Sequence, residues 1–164
     1  MEIIMSNEQG ELYDLLALRY MDVDLERLAG RLAKINRFNG ATDYPYSVAQ
    51  HSVFVASLVT RDLRLPALLH DLAEAFVTDL PLPIKRECAD YKAIESRVED
   101  QLTALGYPDA RRHPEIKAAD RRAFEIERCY LRGGAALLPQ YVDLLEEITW
   151  RTAERRFMSW TELA

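Results

Sequence analysis

The sequence predicts an all-α fold, a single compact bundle of about six or seven helices. Apolar residues recur at spacings of three and four along most of the chain, which is typical of helices. Alternating runs of Val, Ile and Thr, which are typical of strands, are scarce. A length of 164 residues is enough for one domain and short for two.

The first two predicted helices each begin at a capping residue. Asp24 caps a helix that ends near Asn36, before a turn-rich loop over residues 39–46. The apolar face of this helix consists of Leu25, Leu28, Leu32 and Ile35. Ser47 is the predicted N-cap of the second helix, which runs to about Arg61.

Proline residues mark the later helices. Pro66 favours the first turn of a third helix that reaches about Val77, where two prolines within 78–83 end it. This helix is apolar on nearly all sides, so we expect it in the middle of the domain. The remaining predicted helices are Tyr91–Leu105, Pro114–Leu131, ending at Gly133-Gly134, and Tyr141 to about Trp160.

Charge and composition exclude several classes of protein. The chain has 21 basic and 27 acidic residues and a net charge of −6, which argues against a duplex nucleic-acid binder. A small phosphorylated ligand remains compatible, because one or two cations suffice to bind it. The chain shows neither a signal peptide nor an apolar run of the roughly 18 to 20 residues that span a bilayer. Its two cysteines form no CxxC motif. We therefore expect a cytoplasmic protein without a membrane partner.

Three polar residues interrupt the apolar third helix. His70, Asp71 and Glu74 lie among leucine, alanine and phenylalanine residues, and helical spacing directs all three into one sector. Burial of an imidazole and two carboxylates without partners would cost several kcal/mol. A metal ion, a buried Lys or Arg, or both must therefore lie beside them.

His51 favours the metal among these alternatives. It lies on the apolar face of the preceding helix and can converge with His70 and Asp71 on one ion. A buried His taken alone is more often an ordinary core residue, and a His-Asp pair can be a simple hydrogen bond. The joint pattern of His51, the His-Asp pair and Glu74 favours a metal site.

The sequence also resembles a known family, the HD-domain superfamily of metal-dependent phosphohydrolases. The residues that carry the resemblance are His51 and the run from His70 to Lys85, HDLAEAFVTDLPLPIK. This run is similar to bacterial 5′-deoxynucleotidases and their phage-encoded relatives, as are Arg37-Phe-Asn-Gly and Tyr46-Ser-Val-Ala-Gln. The resemblance covers about 25–120. We expect one domain over 1–164, with C-terminal helices at 140–162 packed on this core.

The resemblance implies a fourth metal ligand, an Asp on a later helix. Asp120 is the best match, and Asp109 and Asp143 are weaker competitors. The implied ligand set is His51, His70, Asp71 and Asp120. Two imidazoles and two carboxylates suit one divalent ion of Mn, Co, Ni, Fe or Zn, and the set alone does not choose among these metals.

Other residues receive roles from the same motifs. Glu74 and Asp79 are implied to be catalytic, because a carboxylate beside metal-bound water can orient it or take its proton. Arg37 and Lys85 are the candidate cations for phosphate. Among the aromatic residues of the loop, Phe38 and Tyr46 are candidates for contacting the nucleoside, although such residues are more often core or rim.

The resulting hypothesis is a phosphohydrolase that converts deoxynucleoside monophosphates to nucleoside and phosphate. One alternative is a triphosphohydrolase, for which Arg86, Lys92, Arg121 and Arg122 are candidate cations. Rivals from another class are a non-catalytic, metal-stabilised nucleotide-binding or interaction module and a plain helical domain with a buried ion pair. The family implies a homo-oligomer, a dimer or larger.

Overall fold

The computed structural model describes residues 2–132 and 139–163. The predicted all-α fold is confirmed, with one small hairpin added at the N-terminal end. The helices are α1 (Leu25–Leu32), α2 (Val48–Ser57), α3 (Arg64–Leu68), α4 (Glu74–Val77), α5 (Leu82–Glu87), α6 (Ala89–Ala104), α7 (Pro114–Tyr130), α8 (Val142–Leu145) and α9 (Trp150–Leu163). None of the helices in this part of the chain combines the length and the apolar character needed to cross a bilayer.

The hairpin was not predicted. It consists of β1 (Ile4–Ser6) and β2 (Leu12–Asp14), paired antiparallel with Met5 opposite Tyr13. Each strand has three residues, too few to show a clear alternation of apolar and polar positions. Tyr13 is buried against the helical core, and its ring packs edge-on against Phe76.

Helix α2 lies at the centre of the bundle. It packs against α1, α3, α7, α8 and α9, and every one of its residues from Val48 to Ala56 is buried. Ser47 caps it as predicted: the Gln50 N–H donates to Ser47 Oγ, and the Ser47 N–H donates to Gln50 Oε1. The helix ends at Ser57 rather than near Arg61. This position places His51 in the interior.

The predicted continuous helix from Pro66 to Val77 is wrong. Helix α3 ends at Leu68, α4 begins at Glu74, and residues 69–73 form tighter turns with hydrogen bonds between residues three apart. The Ala67 carbonyl oxygen accepts a hydrogen bond from His70 Nδ1 at 2.7 Å. A side chain that competes for a backbone carbonyl in this way interrupts a regular helix. His70 and Asp71 therefore project from a turn.

The other helix boundaries lie closer to the predicted ones. Helices α6 and α7 match the predicted segments to within two residues, whereas α1 ends at Leu32 instead of near Asn36. The predicted break at 78–83 contains the start of α5, since Pro83 occupies a first-turn position where no N–H is needed. The C-terminal helix is divided into α8 and α9. The predicted helix end at Gly133-Gly134 lies outside the described residues.

Candidate metal centre

Three parts of the fold bring the four predicted ligands together. Helix α2 provides His51, the turn after α3 provides His70 and Asp71, and α7 provides Asp120. Ligand atoms of His51, His70 and Asp120 all lie within 4.8 Å of one another. Asp120 is thus the later aspartate that reaches the histidines, whereas Asp109 is bound to Arg111 and Asp143 is an exposed residue of α8.

The distances between these side chains suit a shared ion. His51 Nε2 lies 3.1 Å from Asp120 Oδ1 and 3.6 Å from Asp71 Oδ2. His70 Nε2 lies 3.1 Å from Asp71 Oδ2 and 4.0 Å from Asp120 Oδ1. Atoms bound at about 2.1 Å to one ion are roughly 3 to 3.5 Å apart, so small side-chain shifts would complete the coordination.

Both imidazoles direct Nε2 toward the space between the four predicted ligands. His70 Nδ1 donates to the Ala67 carbonyl, and His51 Nδ1 lies 2.7 Å from Glu127 Oε1, to which it donates. A neutral ring whose Nδ1 carries the proton has its lone pair on Nε2. The two Nε2 atoms are buried and have no hydrogen-bond partner among the described residues. Such atoms are suited to bind a metal, and the donor set fits one.

Glu127 is the main residue of this site that the sequence reasoning missed. Its side chain is fully buried on α7, where Oε1 also accepts a hydrogen bond from Tyr46 Oη at 2.9 Å. Its Oε2 lies 3.3 Å from Arg37 Nε. The available signal was its position seven residues after Asp120, which is two helical turns along the same face.

The charges of the cluster favour a bound cation. Burial and Arg37 lower the pKa of His51, but Glu127 and Asp120 outweigh them and raise it to about 9. Burial raises the pKa of Asp71, whereas the neighbouring His70, His51 and Arg37 lower it by more. Without a metal, His51 therefore holds a proton between carboxylates. A metal ion would displace that proton, so binding should release it.

Glu74 and Asp79 lie beside this cluster. Glu74 is 7% exposed, and burial followed by the charges of Asp71 and Asp79 raises its pKa well above 4.5. Burial also raises the pKa of Asp79. Between them, Thr78 has a φ of 70°, a left-handed conformation that costs about 1 to 3 kcal/mol for a residue with a Cβ. Strain of this kind is characteristic of functional sites.

A cavity of about 550 Å³ opens onto the carboxylates. Its acidic lining residues are Asp71, Glu74, Asp79 and Asp120. Its cations are Arg37, Lys85, Arg121 and Arg132. Its apolar walls include Phe38, Leu80, Pro81, Leu82, Pro83 and Phe124. A cavity of this size and mixed lining can accept a small organic phosphate.

The predicted substrate cations already have partners. Arg37 makes ion pairs with Glu127 and, at 3.8 Å, with Asp71 Oδ2. Lys85 Nζ lies 2.6 Å from Glu95 Oε1. Both side chains nevertheless line the cavity.

The two predicted aromatic contacts have different positions. Phe38 lines the cavity and stacks on Phe124, with 5.7 Å between ring centroids. Tyr46 is fully buried, with its hydroxyl bound to Glu127. A ring without exposed surface cannot stack on a nucleobase, so the prediction that Tyr46 contacts substrate is corrected.

Comparison with known proteins identifies relatives. No protein-family model matches the sequence. The chain is 36% identical over 108 residues to "Uncharacterized protein YfdR" of Escherichia coli (strain K12). The aligned region covers 65% of this chain and 60% of YfdR, so the chain spans less than two thirds of that relative. The chain is also 36% identical over 141 residues to "Uncharacterized protein RCAP_rcc00048" of Rhodobacter capsulatus. That aligned region covers 76% of this chain and 70% of the relative. The chain therefore belongs to the protein family of RCAP_rcc00048.

Proposed function

We propose that this protein is an HD-type, metal-dependent phosphohydrolase that removes the 5′-phosphate of deoxynucleoside monophosphates. The observation that carries the proposal is the convergence of two buried Nε2 atoms on two aspartates, Asp71 and Asp120, that line a cavity. The proposed ligands are His51, His70, Asp71 and Asp120, and the ion is Mn, Co, Ni, Fe or Zn.

The bound ion would polarise a phosphoryl oxygen and lower the pKa of its water. Glu74 and Asp79 line the same cavity as the proposed ligands Asp71 and Asp120. One of them orients or deprotonates the attacking water, and the other protonates the leaving 5′-oxygen. Burial raises the pKa of both carboxyls, which favours the protonated form that a general acid needs.

The cations of the cavity support an anionic substrate. Arg37 and Lys85 are partly neutralised by Glu127 and Glu95. Arg121 and Arg132 line the same cavity, and neither makes an ion pair with another described residue. These two arginines favour a second candidate, a triphosphohydrolase that releases triphosphate from a dNTP, because the additional phosphates need additional cations.

The experiment is a panel of deoxynucleotides, with one, two or three phosphates, crossed with the candidate metals. Orthophosphate released from monophosphates supports the first activity, and intact triphosphate released from a dNTP supports the second. The Asp120→Asn variant should lose turnover, while Asp143→Asn, an exposed aspartate of α8, serves as the matched control. Metal binding without turnover on any substrate would favour a metal-stabilised binding module instead.

We further propose that the protein acts in the cytoplasm as a homo-oligomer, a dimer or larger. Light scattering on the eluting protein tests the oligomeric state. A monomer at micromolar concentration would contradict it.

A further inference from the structure

We propose that Glu127 is a positioning residue that prepares two parts of the site at once, the metal ligand His51 and the substrate cation Arg37. This inference rests on the proposed metal site. Glu127 itself lines no part of the cavity and approaches His51 from the side away from the proposed ion. Its role would therefore be exerted through its neighbours.

The contact with His51 fixes both the tautomer and the aim of the ring. The ring is fully buried, and its Nδ1 lies 2.7 Å from Glu127 Oε1. An ionised carboxylate has no hydrogen to donate, so the proton of a neutral imidazole must reside on Nδ1. The lone pair on Nε2 is then directed toward Asp71 and Asp120. A carboxylate behind a metal-bound histidine also makes the ligand more basic.

The second carboxylate oxygen of Glu127, Oε2, positions Arg37. Glu127 Oε2 lies 3.3 Å from Arg37 Nε, while Arg37 Nη1 lies 3.8 Å from Asp71 Oδ2. The guanidinium is held between a buried carboxylate and a proposed metal ligand, with its side chain at the cavity wall. One residue thus couples the placement of the cation to the placement of the metal.

The cost of burying Glu127 supports a specific role. A carboxylate with no exposed surface loses its hydration, and hydrogen bonds and opposite charges must replace it. Tyr46 Oη, His51 Nδ1 and Arg37 Nε supply these replacements, and each is fixed in turn by the same two oxygens. Gln cannot reproduce this arrangement, since its amide has one acceptor oxygen and its nitrogen would face Arg37.

The test compares Glu127→Gln with the wild type by titrating Zn²⁺ into chelator-stripped protein in a calorimeter. Removal of such a partner typically weakens metal affinity by 10- to 100-fold, and we expect a loss in that range. The matched control is Glu8→Gln in the turn between β1 and β2, whose carboxylate is paired with Arg31 on α1. The control should bind Zn²⁺ with wild-type affinity.

A second readout separates positioning from stability. In Zn²⁺-loaded protein, ¹⁵N shifts of the His51 ring should show a protonated Nδ1 and a bound Nε2 in the wild type. In Glu127→Gln, the proton and the metal should be less strictly divided between Nδ1 and Nε2 of His51. If that variant does not fold, Glu127→Asp keeps the charge but withdraws it by one methylene. It should bind Zn²⁺ more weakly than the wild type.

Activity supplies the third readout, because a displaced Arg37 should raise KM for a deoxynucleoside monophosphate as well. Unchanged Zn²⁺ affinity and an unchanged His51 pattern in a folded Glu127 variant would overturn the inference, even if stability fell. A wild-type protein that binds no Zn²⁺, Mn²⁺ or Co²⁺ would instead refute the proposed function. The two failures are therefore distinguishable.

Discussion

Replacement of Glu74 by Gln should stabilise the metal-free protein at neutral and alkaline pH. Burial, together with the charges of Asp71 and Asp79, raises the pKa of Glu74 well above its usual 4.5. In the unfolded chain this carboxyl ionises near 4.5. Between the two pKa values the folded state holds a proton that the unfolded state has lost, so the wild type loses stability as pH rises.

The size of this pH dependence follows from a difference of one bound proton between the folded and unfolded states. The free energy of unfolding of the wild type should fall by up to about 1.4 kcal/mol for each pH unit within that window. Gln does not ionise, so the stability of the variant relative to the wild type should rise with pH by the same amount. Below the unfolded-state pKa of 4.5 the difference should be constant.

The assay is urea unfolding with a chelator present, repeated at intervals between pH 4 and 9. Ionisable groups outside the cluster contribute nearly equally to both proteins, so the difference between the two curves reports Glu74 together with its interaction with Asp71 and Asp79. The proposed function also predicts that this variant loses most of its phosphohydrolase activity when metal is restored, because the proposal gives the Glu74 carboxyl a role at the attacking water or the leaving oxygen. A stability difference that does not vary with pH, or that falls as pH rises, would refute this reasoning.

The remaining predictions concern three other interactions. Tyr46→Phe removes a buried hydrogen bond to an ionised acceptor and should lower the free energy of unfolding by about 1.5 to 3 kcal/mol in urea titrations; a change below about 0.5 would contradict the assigned bond. Divalent metal at 100 times its Kd should stabilise the chelator-treated protein by about 2.7 kcal/mol, and this gain should vanish in His51→Ala. If the triphosphate is the substrate, Arg121→Ala should raise KM more for a dNTP than for a dNMP, and equal effects on both would favour the monophosphate.

Helix identity in this protein is set mostly by local patterns. The Ser47 capping box, the amphipathic repeat of α7 and the stop at Gly106, which has a φ of 98°, all act over a few residues. These features were accessible from the sequence. The break between α3 and α4 was not, because it depends on the His70 ring competing for the Ala67 carbonyl. The side chain that defines the site also interrupts the helix that carries it.

Within the candidate site, the sequence identified side chains whose polarity conflicts with their surroundings. His51, His70 and Asp71 stood out because their neighbours are apolar. Glu127 did not stand out, since it follows Ile126 and precedes Arg128 in a helix rich in charged residues. Only the packing of α7 against α2 shows that it is buried. Tyr46 was assigned to substrate for the converse reason, because a loop aromatic next to a motif looks accessible.

The central claim is that one divalent ion binds between α2, the turn after α3 and α7. A crystal of the protein grown with Mn²⁺, with anomalous diffraction measured for manganese, tests it directly. The account predicts one strong peak about 2.0 to 2.3 Å from His51 Nε2, His70 Nε2 and the carboxylate oxygens of Asp71 and Asp120. A fully loaded crystal whose manganese lies elsewhere, or one without a peak between the two imidazoles, would contradict it.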